Sequence, residues 1–310
     1  MSWFSIILTV LGLGLFETVS SIDNAVINAE VLSTMGQRAR RWFLVWGMLF
    51  AVFAIRGLLP WLIVWLAAPS LGPIGAITAS FSSDPSALAA VEKAAPLLLM
   101  AGGMFMIFLF FHWLFLEPKN FGLAGEKFFY SQGVWFYAVV SIILTVVVWQ
   151  SIQINPFLAF AAVIGSTTFF ITHGFKENAA VREKELVEGK SHLSDLSKIF
   201  YLEAIDASFS IDGVLGAFAF TLSVPLILLG NSLGAIVVRE MTIRNIDSIK
   251  KYAYLKNGAM YSILFLGSIM LLHGFGFHIP EWFSPVVTFG VIAYFYLKSK
   301  ALINKQPNNA

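Results

Sequence analysis

The chain has 310 residues, 58% of them hydrophobic and 12% charged, with a mean hydropathy of +0.78. Soluble domains carry about 45–50% apolar and about 25% charged residues, so this composition excludes an ordinary soluble globule, and its hydrophobicity excludes a disordered chain. The absence of cysteine excludes disulfides, Cys-ligated zinc, iron–sulfur clusters and thiol nucleophiles, and a net charge of +2 gives no basis for nucleic-acid binding.

The first apolar run, Trp3 to Leu32, is too long for a signal-peptide core and carries acids inside it. It reads as a retained first membrane helix. Further along, runs of the length a bilayer requires predict about nine spans: 3–34, 42–68, 96–116, 132–150, 155–173, 197–223, 225–239, 255–274 and 282–298. The expected fold is an all-α, polytopic membrane helix bundle forming one integral membrane domain over residues 1–310. The seventh run is short and interrupted by Gly230, Asn231 and Gly234, as in the broken helices of transporters.

Basic residues set the expected orientation. With the N-terminus outside and the C-terminus cytoplasmic, 18 of the 20 Lys and Arg residues fall in inside loops or the tail. Outside loops keep only Lys93, and Arg56 lies within the second span. This predicts a multi-pass plasma (inner) membrane protein with membrane lipid as its surroundings.

Two spans hold related acidic stretches. The first reads Glu17-Thr-Val-Ser-Ser21-Ile-Asp23-Asn24 and the sixth Asp206-Ala-Ser-Phe-Ser210-Ile-Asp212-Gly213. Both contain acid-x-x-x-Ser-Ile-Asp. Five spans separate them, an odd number, so the copies cross in opposite directions. That is the mark of an inverted repeat with its site between the halves. Repeat one spans about 1–116 and repeat two about 197–298, with connecting spans about 132–173.

A charged residue near the middle of a bilayer costs about 2.5–3.5 kcal/mol on insertion scales. Glu17, Asp23, Asp206 and Asp212, with Glu203 one turn before Asp206, would together cost on the order of 12–17 kcal/mol if bare. That matches the whole stability of a typical domain, about 5–15 kcal/mol. The acids must therefore be protonated, hydrated, paired with Arg56, or bound to a cation. Carboxylates, the amides of Asn24 and Asn28, and the hydroxyls of Ser20, Ser21 and Ser210 are hard oxygen donors suited to Mg²⁺, Mn²⁺ or Ca²⁺. Glu17 and Asp23 are six residues apart and do not share a helical face. Convergence on one ion requires a break near Ser20–Asn24 or, as we expect, ligands from both repeats. Arg56 is expected to neutralise an acid of the empty site.

The first stretch resembles the Glu-x-x-x-Ser-x-Asp-Asn signature of the TerC family of integral membrane proteins, within the wider LysE-type transporter superfamily. Glu203-Ala-Ile-Asp206 through Asp212, Asn231 and Arg239 is similar to that family's second signature, with Gly213 where a Ser is usual. The resemblance implies divalent-metal transport, most often Mn²⁺ efflux, in a family named for tellurium (tellurite) resistance. The metal set expected on this basis is Glu17, Asp23, Asn24, Asp206, Asp212 and Glu203, supported by Ser21, Ser210, Arg56, Asn231 and Arg239.

Other features are expected to be structural. His173 and Glu177, spaced i and i+4, read as a solvated helix end, and His112, His273 and His278 as interfacial. No HExxH, P-loop or GxSxG motif is present, so neither an enzyme nor an organic cofactor is expected. The function expected is a divalent-cation transporter, an Mn²⁺ exporter foremost. The alternatives are an accessory protein that delivers metal to a receiving protein partner among exported or membrane enzymes, and a carrier of another small solute. An acidic site repels oxyanions such as tellurite.

Overall fold

The computed structural model describes residues 3–47, 50, 56–78, 85–119, 121–187, 194–244 and 251–305. Among these residues it is a helix bundle without strands. The helices are α1 (Trp3–Ser20), α2 (Ile22–Ser33), α3 (Gln37–Trp42), α4 (Arg56–Ala67), α5 (Gly72–Thr78), α6 (Pro85–Leu116), α7 (Glu126–Ser131), α8 (Phe136–Ile154), α9 (Pro156–Val187), α10 (Asp195–Ala217), α11 (Val224–Arg244), α12 (Leu255–Gly274) and α13 (Phe283–Lys305). A π-helical turn, Phe43–Gly47, extends α3.

Seven helices among the described residues are long and apolar enough to cross a membrane, or eight if one bent pair counts as a span. The bent pair is Arg56–Ala67 with Pro69–Ile77, turned through 104°. This all-α architecture is that of a multi-pass membrane protein, with fewer apolar spans than the nine expected. The difference lies in the second span, 42–68, part of which lies outside the described residues, and in the sixth. The sixth is a continuous helix, α10, but Asp195, Lys198, Glu203, Asp206 and Asp212 make it too polar to face lipid on all sides.

Helix α6 runs through the centre and packs on α12 and α9. Small residues let the backbones approach, as in membrane bundles where lipid removes the hydrophobic drive between helices. A Cβ placed on Gly267 of α12 would lie 2.8 Å from the Met106 Cβ of α6, and one on Gly103 would lie 2.9 Å from the Gly267 carbonyl oxygen. Gly165 of α9 sits directly against the Ala101 backbone. Around this seam Phe105, Phe108 and Phe169 fill the core. At the periphery α8 turns Ile142, Val146, Trp149 and Ile152 outward, and α13 does the same with Tyr294 and Leu297. An apolar exterior over a packed interior suits a hydrocarbon surrounding.

A smaller cluster, Val31, Leu32, Met35, Phe43, Ile199 and Leu202, docks the α2–α3 hairpin onto α10. Polar contacts fix the docking. Lys198 Nζ donates to the Thr34 carbonyl and hydroxyl at 3.0 Å each, serving the carbonyl end of α2. The Gly36 amide donates to Asp195 Oδ2 at 3.2 Å. Gly267→Ala is expected to destabilise the bundle by about 1–3 kcal/mol through overpacking. Gly174→Ala, where an added Cβ meets nothing within 4 Å, is expected to be neutral. Denaturant titration of the two purified variants in detergent checks the contrast.

Candidate functional site

The first acidic stretch lies where one helix gives way to the next. Helix α1 ends at Ser20 and α2 begins at Ile22, with Ser21 between them at φ −90° and ψ 5°. The break is slight, because the Ser21 amide still donates to the Glu17 carbonyl at 3.1 Å. The Ser21 hydroxyl donates to Glu17 Oε1 at 2.9 Å, which holds the carboxylate in one rotamer.

Glu17 is 1% exposed and fits because its neighbours have no side chains. A Cβ on Gly234 of α11 would lie 2.6 Å from the Glu17 Cβ. Gly213 of α10 faces Glu17 Oε2 just as closely. The Gly after Asp212, where the resembled signature has Ser, thus makes room for an acid of the other repeat.

Arg56, 4% exposed, bridges the two acidic stretches. Its Nε donates to Glu17 Oε1 at 2.9 Å and its Nη1 to Asp206 Oδ2 at 3.1 Å. Asn24 completes Asp206 by donating Nδ2 to Oδ1 at 2.5 Å. The planar guanidinium fork serves two acids on different helices, a geometry that a Lys ammonium does not reproduce. Two carboxylates against one guanidinium leave one negative charge if all are ionised. Beside this cluster is a cavity of ≈ 20 Å³ lined by Asn24, Asn28, Arg56 and Asp206, and by Gly47 and apolar groups. That is room for one water-sized occupant. Asn24 Oδ1 and Asn28 Oδ1 are buried without a hydrogen-bond partner.

The structure therefore joins Glu17, Ser21, Asn24, Arg56 and Asp206, and sets other expected residues apart. Asp212 takes Lys176 Nζ of α9 on its Oδ2, while its Oδ1 is buried and unpartnered. The expectation that it faces the first stretch is corrected by helix geometry. Helix α10 is unbroken from Asp195 to Ala217, so residues six apart point about 120° away from each other. Ser210 spends its hydroxyl on the Asp206 carbonyl at 2.6 Å, the common back-bond of a helical Ser. Glu203 has both oxygens buried and unpartnered. Asn231 is fully buried with neither amide atom partnered, one turn before the cavity-lining Ala235, and Arg239 Nε is likewise unpartnered. The side chain of Asp23 lies outside the described residues. No group of three or more His, Asp or Glu residues among those described is placed to hold a metal ion.

Sequence reasoning did not pair Lys176 with Asp212, because nothing local links α9 to α10. It also missed a second polar knot. There Glu126, 1% exposed, accepts from Asn257 Nδ2 at 2.7 Å, with Lys256 and Glu117 paired nearby at 2.6 Å. Lys119, beyond the end of α6, donates to the Trp113 carbonyl and lies over that indole ring. Burial pushes its pKa down to about 8, against the opposing pull of Glu117 and Glu126. His112 and His173 lie with ring centroids 3.9 Å apart, and His173 reaches Glu177 at 3.3 Å.

A family model for proteins of unknown function, DUF475, matches residues 22–306. The chain belongs to the DUF475 family. The match takes in Ile22 to Asn24 of the first acidic stretch, the whole of the second, Arg56 and all helices from α2 to α13, while Glu17 precedes it. No curated protein and no solved structure matches this DUF475 chain.

Breaking a buried pair by removing one partner typically costs about 3–5 kcal/mol, because the other charge is stranded. Arg56→Met is therefore expected to lower stability by about that amount. Adding Glu17→Gln and Asp206→Asn to Arg56→Met is expected to recover most of the loss. Thermal melts of the single and triple variants check this.

Proposed function

We propose that this protein is a secondary transporter for a divalent cation, Mn²⁺ foremost, working as an exporter in the plasma (inner) membrane with its N-terminus outside and C-terminus cytoplasmic. One observation carries the reading. Two acids buried in the bundle, one from each acidic stretch, converge on a single positive charge beside a cavity for one small occupant. The arginine stands where a cation is to stand.

In this reading the incoming ion displaces the guanidinium and takes Glu17 and Asp206 as its charged ligands. Asn24 Oδ1 and Asn28 Oδ1, now unpartnered, supply neutral oxygens, and water completes an octahedral shell. Hard donors, with no imidazole among the residues lining the cavity, favour Mn²⁺ or Mg²⁺ over copper. The resemblance to TerC proteins points the same way. Alternating exposure follows if one repeat rocks against the other around the fixed site. The distribution of basic residues supports the orientation.

Reconstitution in vesicles with a trapped metal-sensitive dye tests the reading across Mn²⁺, Mg²⁺, Ca²⁺, Zn²⁺ and Fe²⁺. Wild-type protein is expected to move at least one of them, and Glu17→Gln or Asp206→Asn to cut the flux by tenfold or more, about 1.4 kcal/mol or above per variant. Binding without flux would instead indicate a metal-delivery protein. Neither binding nor flux for all five ions would end the reading. Arg56→Ala is expected to lower the melting temperature more in cation-free than in Mn²⁺-loaded protein, since the loaded site no longer needs the arginine.

A further inference from the structure

The loaded site leaves Arg56 without its acids, and an arginine displaced into a dry bundle needs another anion. Glu203 is placed to be that anion. It lies on α10 one turn before Asp206, so both carboxylates rise from the same part of the helix. Neither of its oxygens is exposed and neither has a hydrogen-bond partner. A buried carboxylate with no partner is costly, and persists when another state of the protein supplies one. Glu203 is within electrostatic reach of Arg56 and of Asp206. Its Oε1 abuts Gly47, and Gly47 lines the same small cavity as Arg56. Gly47 thus touches both the cavity beside the arginine and the carboxylate of Glu203, and has no side chain to stand between them.

We infer that Arg56 has two seats: Glu17 and Asp206 when the site is empty, and Glu203 when a cation occupies it. The second seat rests on the transport reading above for its occasion, but not for its existence. The arginine moves between acids without a proton changing hands, and its charge stays buried and paired in both positions. In the empty carrier the arginine thus offsets part of the acids' charge without a coupling ion. This assigns Glu203 a role other than the metal ligand expected from the sequence. It acts on the ion through Arg56, as a positioning residue.

The test has two arms, both on purified full-length protein. The first uses no metal and measures melting temperature. With the first seat intact, Glu203→Gln removes an unpartnered carboxylate and is expected not to lower the melting temperature. With Asp206→Asn present, Arg56 leans on Glu203, and adding Glu203→Gln is expected to cost at least about 2 °C more. Glu17→Gln replaces Asp206→Asn in the cycle if the latter does not yield folded protein. Equal shifts in both backgrounds overturn the second seat.

The second arm measures Mn²⁺ affinity by calorimetry. Glu203→Gln is expected to weaken binding about tenfold, a usual coupling for members of one ion-pair network, because the displaced arginine has nowhere to go. In an Arg56→Gln background the same change is expected to have no effect. Equal weakening with and without Arg56 overturns the inference and makes Glu203 a direct ligand. If wild-type protein binds none of the five divalent ions, the transport reading fails, while the metal-free arm still decides whether the second seat exists.

Discussion

Everything at the centre of this molecule depends on one constraint: two carboxylates held in a bundle whose outside is apolar must be neutralised from within. Arg56 does so by reaching Glu17 and Asp206 at once. Bulk solvent does not share the task, since Glu17 and Arg56 are almost wholly buried. The Coulomb attraction of such a trio is large at low dielectric, but so is its desolvation cost. Its worth therefore lies less in net stability than in fixing which helices face one another. Helices α1, α4 and α10 must meet at this point for one guanidinium to reach both acids.

That requirement explains the glycines around it. Gly213 and Gly234 clear the space that Glu17 occupies, and Gly47 does the same for Glu203. In each case the acid has room because a facing helix or turn presents bare backbone. The same device, applied with apolar partners, brings α6 against α12 and α9. Close backbone approach is thus used twice, once for dispersion contacts between helices and once to admit polar side chains.

Several of the polar groups left over lie around the same cavity, and others, such as Glu126 Oε1 and Asp212 Oδ1, lie elsewhere. Asn24 Oδ1, Asn28 Oδ1 and Glu203 are buried without partners there, and Asn231 lies one turn from its lining. Buried polar atoms are satisfied in the great majority of native structures. A concentration of exceptions at one place is the signature of a site whose other occupant, or other arrangement, completes the bonds. Asp212 belongs to a different neighbourhood through Lys176, so the two similar stretches are not used alike. The first contributes Glu17, Ser21 and Asn24, while the second contributes Asp206 and turns its last acid away.

The amino-acid sequence by itself determined the helical, multi-pass character, because long apolar runs with few charges have no other stable form in lipid. It also determined that acids at 17 and 206 need compensation and that Arg56, the lone basic residue inside a span, was available to provide it. These follow from composition and one-dimensional spacing. The polar α10 was predicted as a span on length, yet its charges mark it as a helix sheltered by its neighbours. Only the tertiary structure decided that Asp206 and Asp212 part company, because an unbroken helix turns residues six apart to different faces and only packing says what each face meets. Likewise, only packing could bring Lys176 to Asp212, place Gly213 and Gly234 around Glu17, and leave Glu203 buried without a partner. Pairings between helices far apart in the chain leave no local trace, since each helix satisfies its own backbone and its neighbours are chosen by shape and charge in three dimensions.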